Sequence, residues 1–157
     1  MANSPKRREL SFRSLEEVML EVERLVAADV KTTGEHEFGQ ILNHLALSHD
    51  VSSGHTAPPP APFFMRLMTP LMRWMVINSK PLKPGVKLPA QAEGFFWPNQ
   101  DYDVQDAFQE FKASIERYKA NGPLAIHPFF GKMTSQQCDE LQCRHAALHL
   151  SFVHPTE

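Results

Sequence analysis

The pattern that most restricts the fold is the one that closes the chain. Residues 134–153 read TSQQCDELQCRHAALHLSFV, and at about 100° per residue their apolar and polar side chains separate onto two arcs of a helix. Thr134 and Gln137 have the spacing of a capping box, which marks the start of a helix. The sequence therefore predicts an amphipathic helix over 134–153, whose apolar arc packs on other elements. That arc contains Cys138, Leu141, Leu148, Phe152 and Val153.

Other stretches repeat this helical periodicity. Helices are predicted over 14–29, 37–52 and 103–121. Ser14 with Glu17 opens the first of them, Asp103 caps the third, and Asn121-Gly122-Pro123 ends the third. We find no stretch with the alternation typical of a strand and no internal repeat. Four amphipathic helices joined partly by long connections predict an all-α fold, a four-helix bundle with a crossover between its second and third helices.

The middle of the chain is rich in proline and apolar residues. Residues 57–62, APPPAP, are typical of a stiff linker. Thr69-Pro70 resembles a helix start, so a short helix is predicted from Pro70 to Asn78. The surrounding segment 63–77 is apolar almost all round, which favours deep burial, a pocket wall or a subunit interface. A homodimer interface would use Phe63, Met68, Met72 and Trp74.

Residues 79–102 are predicted to form a long ordered loop. This stretch contains Phe95-Phe96 and Trp97-Pro98, and so many aromatic side chains are expected to pack down on the protein. Long ordered loops often line functional sites. The loop around Trp97, together with Trp74 of the apolar segment, is therefore expected to shape a substrate pocket.

Composition limits the possible functions. The 157 residues are 42% hydrophobic, which predicts a single globular domain over 1–157. A net charge of −2 argues against nucleic-acid binding. There is no run of about 20 apolar residues, so no membrane span is predicted, and without an apolar leader the chain is expected in the cytoplasm. The basic arm 1–13 is expected to be solvated. Cys138 and Cys143 lie on different sides of their helix, so free thiols are expected.

Two histidines of the last helix indicate a site. His145 and His149 are four residues apart, so both rings project from one face, and such a pair can share a metal ion. A third ligand would come from the second helix, where the helical wheel favours His49 and leaves His44 as the flank candidate. The alternative interpretation is that these are structural histidines, hydrogen-bonded to backbone or water.

Further histidines have simpler interpretations. His127 opens the HPFFG turn and either anchors that turn or contacts a substrate or a metal ligand. His36, His55 and His154 are interpreted as surface residues. Cys138 is interpreted as a small core residue.

The stretch Asn43-His44-Leu45-Ala46 and the closing stretch HPFFGKMTSQQCDELQCRHAALHLSFV together resemble the DinB/YfiT-like metalloenzyme family, specifically a bacterial branch of unassigned function. The resemblance implies an up-down-down-up four-helix bundle, often dimeric. It also implies zinc or nickel held by three histidines, which by motif position are His44, His145 and His149. His49 is kept as the substitute third ligand.

Two functions follow from this resemblance and from the histidine pattern. The first is a divalent-metal-dependent enzyme acting on a small molecule, either a transferase that uses a low-molecular-weight thiol or a hydrolase that uses water. The second is a non-catalytic helical-bundle module for binding or stress response, in which the histidines are structural.

Overall fold

A computed structural model describes residues 6–156, so the predictions that fall on 1–5 and on Glu157 lie outside the described residues. Within 6–156 there are six helices, and the prediction of a mostly helical fold is confirmed. They are α1 Leu15–Val26, α2 Phe38–Ser52, α3 Phe63–Asn78, α4 Ala90–Phe96, α5 Val104–Asn121 and α6 Ser135–Leu150. None of these helices combines the length and the apolar character needed to cross a bilayer.

Four short strands are present that the sequence did not predict. They are β1 Val30–Thr32, β2 Ile126–His127, β3 Gly131–Lys132 and β4 Val153–Pro155. β1 pairs antiparallel with β4, and β2 pairs antiparallel with β3. The expectation that the chain has no strands was therefore wrong, because segments of two or three residues are too short to show alternation in a sequence.

The helix-start and helix-stop signals are confirmed where the sequence was most explicit. Thr134 accepts a hydrogen bond from the backbone N–H of Gln137 at 3.1 Å, and the Gln137 side chain accepts one from the N–H of Thr134 at 3.0 Å. Ser14 likewise accepts from the N–H of Glu17 at 3.3 Å. Helix α5 ends at Asn121, and the next residue, Gly122, has a φ of 69°, in the left-handed region that glycine adopts without strain.

The last helix is shorter than predicted. It ends at Leu150, and Val153 belongs instead to β4, where it lies opposite Thr32. Arg8 binds this end of the helix, because its guanidinium donates to the carbonyl oxygens of Leu150 at 3.1 Å and Val153 at 2.6 Å. A cation is favourable at this end of a helix. The end of the helix that carries His149 is therefore tied to the N-terminal arm.

The described part of the basic arm is solvated only in part: Lys6, Arg7 and Arg13 are exposed, but Arg8 is half-buried against the protein. Arg8 also pairs with Glu21 of α1 at 2.8 Å, and Arg7 donates to the Ser151 hydroxyl at 2.9 Å. The expectation of solvation was wrong for Arg8, because a count of charges cannot show that helix carbonyl oxygens lie within reach.

Helix α3 also differs from its prediction. It runs without interruption from Phe63, so Pro70 lies inside it rather than at its start. A proline there removes one backbone hydrogen bond, which can be tolerated when the rest of the helix is held in place. The expectation of deep burial was also wrong, because none of its sixteen residues is buried.

The core forms where α1, α2, α5 and α6 meet. α2 packs on α5 and α6, and α1 packs on the same two helices. At Gly39 of α2 an added Cβ would lie 2.4 Å from the carbonyl oxygen of Tyr102, so only glycine permits this close approach. The up-down-down-up order of a four-helix bundle stays a prediction. The largest fully buried core side chains include Phe111, Leu25, Leu42, Leu45 and Leu150.

The predicted loop 79–102 is not a loop throughout. It contains α4, seven residues that start after Pro89 and bury Ala92 and Phe96. The expectation that its aromatic residues pack down is confirmed for Phe96, which is buried, and for Trp97, which packs against the core. This placement brings the end of α4 against α2, beside the histidines of α2 and α6.

Candidate metal centre

Three histidines converge between α2 and α6. His44 Nε2 lies 3.0 Å from His145 Nε2, and His149 Nε2 lies 3.1 Å from the same atom. The ligating nitrogens of all three lie within 4.8 Å of one another. The structure thus brings together the three residues that the family resemblance implied. His44 is buried, whereas His145 and His149 are only partly buried, so the group reaches the surface on the α6 side.

The ring of His44 is held from two directions. Its Nδ1 lies 3.1 Å from the carbonyl oxygen of Phe96, which can only accept, so Nδ1 carries the proton. Its face stacks on Trp97 with ring centroids 3.8 Å apart and planes 10° apart. A neutral His44 with its proton on Nδ1 presents the Nε2 lone pair to His145. A backbone carbonyl that fixes the tautomer in this way is typical of metal-ligating histidines.

The two Nε2 contacts of His145 cannot both be ordinary hydrogen bonds. With the His44 lone pair fixed, His145 must donate its Nε2 proton to satisfy that contact. Its Nε2 then has no lone pair left to accept a hydrogen bond from His149 at 3.1 Å. If His145 instead kept its lone pair, two lone pairs would face each other. A cation shared by all three nitrogens removes this conflict.

Burial keeps these rings neutral. It lowers the pKa of His145 to about 4. Burial lowers the pKa of His44 and of His149 well below the usual value, and the charge of a protonated His145 would lower both further. Neutral imidazole is the form that binds metal. The three donors are therefore available near neutral pH without displacing protons.

Two of the three nitrogen–nitrogen separations also fit a first-row divalent ion, and the third lies within 4.8 Å. Zinc–nitrogen bonds of about 2.0–2.1 Å in a tetrahedral site place two ligand nitrogens about 3.3 Å apart. The observed separations of 3.0 and 3.1 Å are close to that value. Three imidazoles leave a coordination position open, which distinguishes catalytic from structural zinc sites.

His49, favoured by the helical wheel, lies outside this group. It is fully buried and its Nδ1 lies 2.9 Å from the hydroxyl of Ser114 on α5. Ser114 in turn donates to the carbonyl oxygen of Phe111 at 2.7 Å, so it accepts from His49. Burial lowers the pKa of His49 to about 3. The wheel located a buried histidine, but it could not show that this residue faces α5 rather than α6.

His127 is buried at the end of a polar chain that begins near the three histidines. Ser48 donates to the Gln142 side chain at 3.0 Å, and Gln142 donates to the Ser52 hydroxyl at 2.8 Å. His127 Nε2 lies 3.0 Å from that hydroxyl, while its Nδ1 accepts from the N–H of Phe129 at 3.2 Å. His127 therefore anchors its turn to α2 and does not join the three histidines.

The sequence predicts that Trp97 and Trp74 both line the pocket, and the structure places Trp97 against the histidines and Trp74 on the exposed side of α3. Trp97 lies between His44 on one face and His36 on the other, with the His36 ring 3.6 Å away. Trp74 is 63% exposed on α3, and among the described aromatic pairs it joins none with a histidine. His36, interpreted from sequence as a surface residue, is half-buried against Trp97.

Two of the supporting groups that the prediction missed had a partial signal in the sequence. Gln142 lies one turn before His145, and Ser48 lies one turn after His44, so both positions face the same interface. The carbonyl oxygen of Phe96 and the ring of His36 had no such signal. Both reach the site only because α4 and the segment before α2 fold toward each other.

The buried histidines predict that the metal-free protein loses stability in acid. Burial lowers the pKa of His127 to about 4, below the unfolded value of about 6.5, so the unfolded chain takes up this proton first as pH falls. The stabilisation is complete above the unfolded pKa and is lost as pH falls through the folded pKa. His127→Gln should make the free energy of unfolding less steeply dependent on pH, by up to about 1.4 kcal/mol per pH unit. Urea unfolding across this range measures the slope.

The matched control is His55→Gln, because His55 is exposed. It should show the pH dependence of the unaltered protein. An unchanged slope in His127→Gln would show that His127 is protonated equally in the folded and unfolded chains.

These features place the chain among mostly helical proteins with a buried three-histidine group able to hold a metal. The family model described as "Protein of unknown function (DUF1569)" matches residues 4–156, so the chain belongs to that family. No curated protein and no solved structure matches it.

Proposed function

We propose that the chain is a divalent-metal-dependent enzyme whose metal ligands are His44, His145 and His149. The observation that carries this proposal is the pair of Nε2 contacts on His145, at 3.0 and 3.1 Å, which one proton cannot satisfy. Zinc and nickel are the proposed ions, since both accept imidazole nitrogen. The ring of His44 is already oriented by the Phe96 carbonyl and Trp97, so little ordering is required on binding.

We also propose that the DUF1569 fold is a DinB/YfiT-like four-helix bundle in up-down-down-up order. Helices α1, α2, α5 and α6 would be its four members, and their mutual packing supports this. Residues 53–103, with α3 and α4, would be the long crossover. The distribution of the histidines, one on the second bundle helix and two on the last, agrees with the family resemblance.

The substrate would be a small molecule that approaches from the α6 side, where His145 and His149 are partly exposed. A bound ion would supply an open position that stabilises a thiolate or lowers the pKa of a water. The chain's residues would hold three neutral donors in place and limit access of water from the α4 side. Trp97 would be a positioning residue there, because both of its faces are covered by His36 and His44.

A thiol-dependent transferase and a hydrolase can be distinguished with cobalt. Protein loaded with Co²⁺ should show the visible absorption bands of cobalt with a low coordination number. A small thiol should add a sulfur-to-cobalt charge-transfer band if its thiolate occupies the open position. We expect this band, which would support the transferase. A cobalt spectrum that does not respond to thiol would favour the hydrolase.

The matched variants are His145→Ala, which removes the central ligand, and His55→Ala, which removes an exposed histidine. The cobalt spectrum should be lost only in the first. Failure of the unaltered protein to bind cobalt, zinc or nickel would contradict the proposal and favour a binding module with structural histidines.

A further inference from the structure

The central part of the chain has an unusual charge distribution. Between Asp50 and Glu93 there is no Asp or Glu, although the whole chain has 18 of them and a net charge of −2. Five basic residues fall in this interval: Arg66, Arg73, Lys80, Lys83 and Lys87. The chain thus has a basic segment, residues 63–87, within an otherwise acidic protein.

Helix α3, the first part of this segment, exposes apolar side chains on one side. Seven of them fall within an arc of about 140° on the helical wheel, and their exposure ranges from 44% for Met75 to 74% for Phe63. We call this set the exposed α3 face. It consists of Phe63, Phe64, Leu67, Met68, Leu71, Trp74 and Met75.

The size of the exposed α3 face distinguishes it from an ordinary surface. Taking about 200 Å² for each large side chain, it leaves on the order of 800 Å² of mostly apolar surface in contact with solvent. The largest apolar patch on a typical monomer is about 300–600 Å² and often has a function.

The opposite side of α3 is fixed to the protein. Arg144 of α6 donates to the carbonyl oxygens of Val76 at 2.7 Å and Ser79 at 2.9 Å, which end the helix. Arg73 donates to the carbonyl oxygen of Lys132 on β3 at 3.2 Å. Val76 also packs on the small buried cluster of Met133, Cys138 and Leu141. The helix is therefore held with its exposed face directed outward.

We propose that the exposed α3 face and the lysines that follow it bind an anionic lipid surface. Apolar side chains would enter the interface between head groups and acyl chains, while Arg66, Lys83 and Lys87, all exposed, would pair with lipid phosphates. Lys80 contributes less, because it lies 3.9 Å from Glu140. This binding does not depend on the metal proposed above.

Charge favours a lipid surface over a second copy of the chain as the occupant of this face. A symmetric dimer through α3 would bring two copies of the same basic segment together, and neither segment has an acidic residue to pair with the other. An anionic membrane supplies the missing negative charge. Trp and Phe side chains are also well suited to the depth of the head groups.

The test uses the full chain and vesicles of phosphatidylcholine, alone or with about one-third phosphatidylserine. Sedimentation should show at least tenfold stronger binding to the anionic vesicles, since each basic residue near the surface contributes roughly a fivefold effect. Leu67→Glu should abolish binding, and Lys83→Glu with Lys87→Glu should weaken it at least tenfold. Because all three positions are exposed, helical content and melting temperature should be unchanged in both variants.

The matched control is Lys6→Glu with Lys31→Glu, which changes the net charge equally at exposed positions outside the segment. It should bind more tightly than the Lys83 and Lys87 double variant. If both double variants bound anionic vesicles equally weakly, net charge alone would explain the effect, and the proposal would be overturned. A lack of binding to anionic vesicles, or a dimer in sedimentation that Leu67→Glu converts to a monomer, would also overturn it.

Discussion

Saturating Zn²⁺ is expected to raise the melting temperature of the metal-free protein by about 10 °C. At a metal concentration about 1,000 times the dissociation constant, binding to the folded state alone adds about 4 kcal/mol. For a chain of this size each kcal/mol corresponds to about 2–4 °C. Differential scanning calorimetry at fixed metal excess measures the shift. The site requires no preceding proton loss, because burial already keeps the pKa of His145 at about 4.

His145→Ala should abolish this shift and have an unusual effect without metal. Most substitutions of buried residues destabilise a protein, but this one removes the Nε2 that cannot satisfy both His44 and His149. We therefore expect the metal-free variant to be within about 1 kcal/mol of the unaltered protein. A structural role for His145 would instead produce a loss of about 2 kcal/mol or more whether or not zinc is present.

His55→Ala is the control for zinc bound weakly at the surface. His55 is exposed and lies outside the three-histidine group. The zinc-dependent shift should remain intact in this variant. A similar loss of the shift in both variants would indicate that zinc binds elsewhere.

Arg117→Ala is expected to lower the free energy of unfolding by about 3 kcal/mol. Asp50 on α2 is only 5% exposed and accepts two hydrogen bonds from the guanidinium of Arg117 on α5, at 2.9 and 2.8 Å. Removing the arginine leaves a buried carboxylate without its partner, which is far more costly than the pair itself is stabilising. Urea unfolding at neutral pH measures the change.

Two further variants test this explanation. Arg117 also pairs with Glu110, but that side chain is 53% exposed, so Glu110→Ala should change stability by no more than about 0.5 kcal/mol. Asp50→Asn in the Arg117→Ala background should recover about 1 kcal/mol or more, because it removes the buried charge. No recovery would mean that packing of the arginine side chain, rather than charge, stabilises the α2–α5 contact.

The sequence by itself determined the four helices that form the core, α1, α2, α5 and α6, and a large part of the candidate site. The capping box at Thr134, the cap at Ser14 and the stop at Gly122 are local signals, because each depends on residues within one turn. The spacing of His145 and His149 likewise fixes their common face, since four residues are one turn of helix. His44, by contrast, could be proposed from its motif but not from periodicity, which favoured His49.

Tertiary structure alone decided the partners of these elements. Whether His44 or His49 faces α6 depends on which neighbour each side of α2 meets, and the apolar arc of one helix has no such information. The tautomer of His44 depends on the Phe96 carbonyl, 52 residues away in the chain. Tertiary structure also decided the exposure of α3. An apolar sequence shows that a helix face needs a partner, but it does not show whether the same chain provides one.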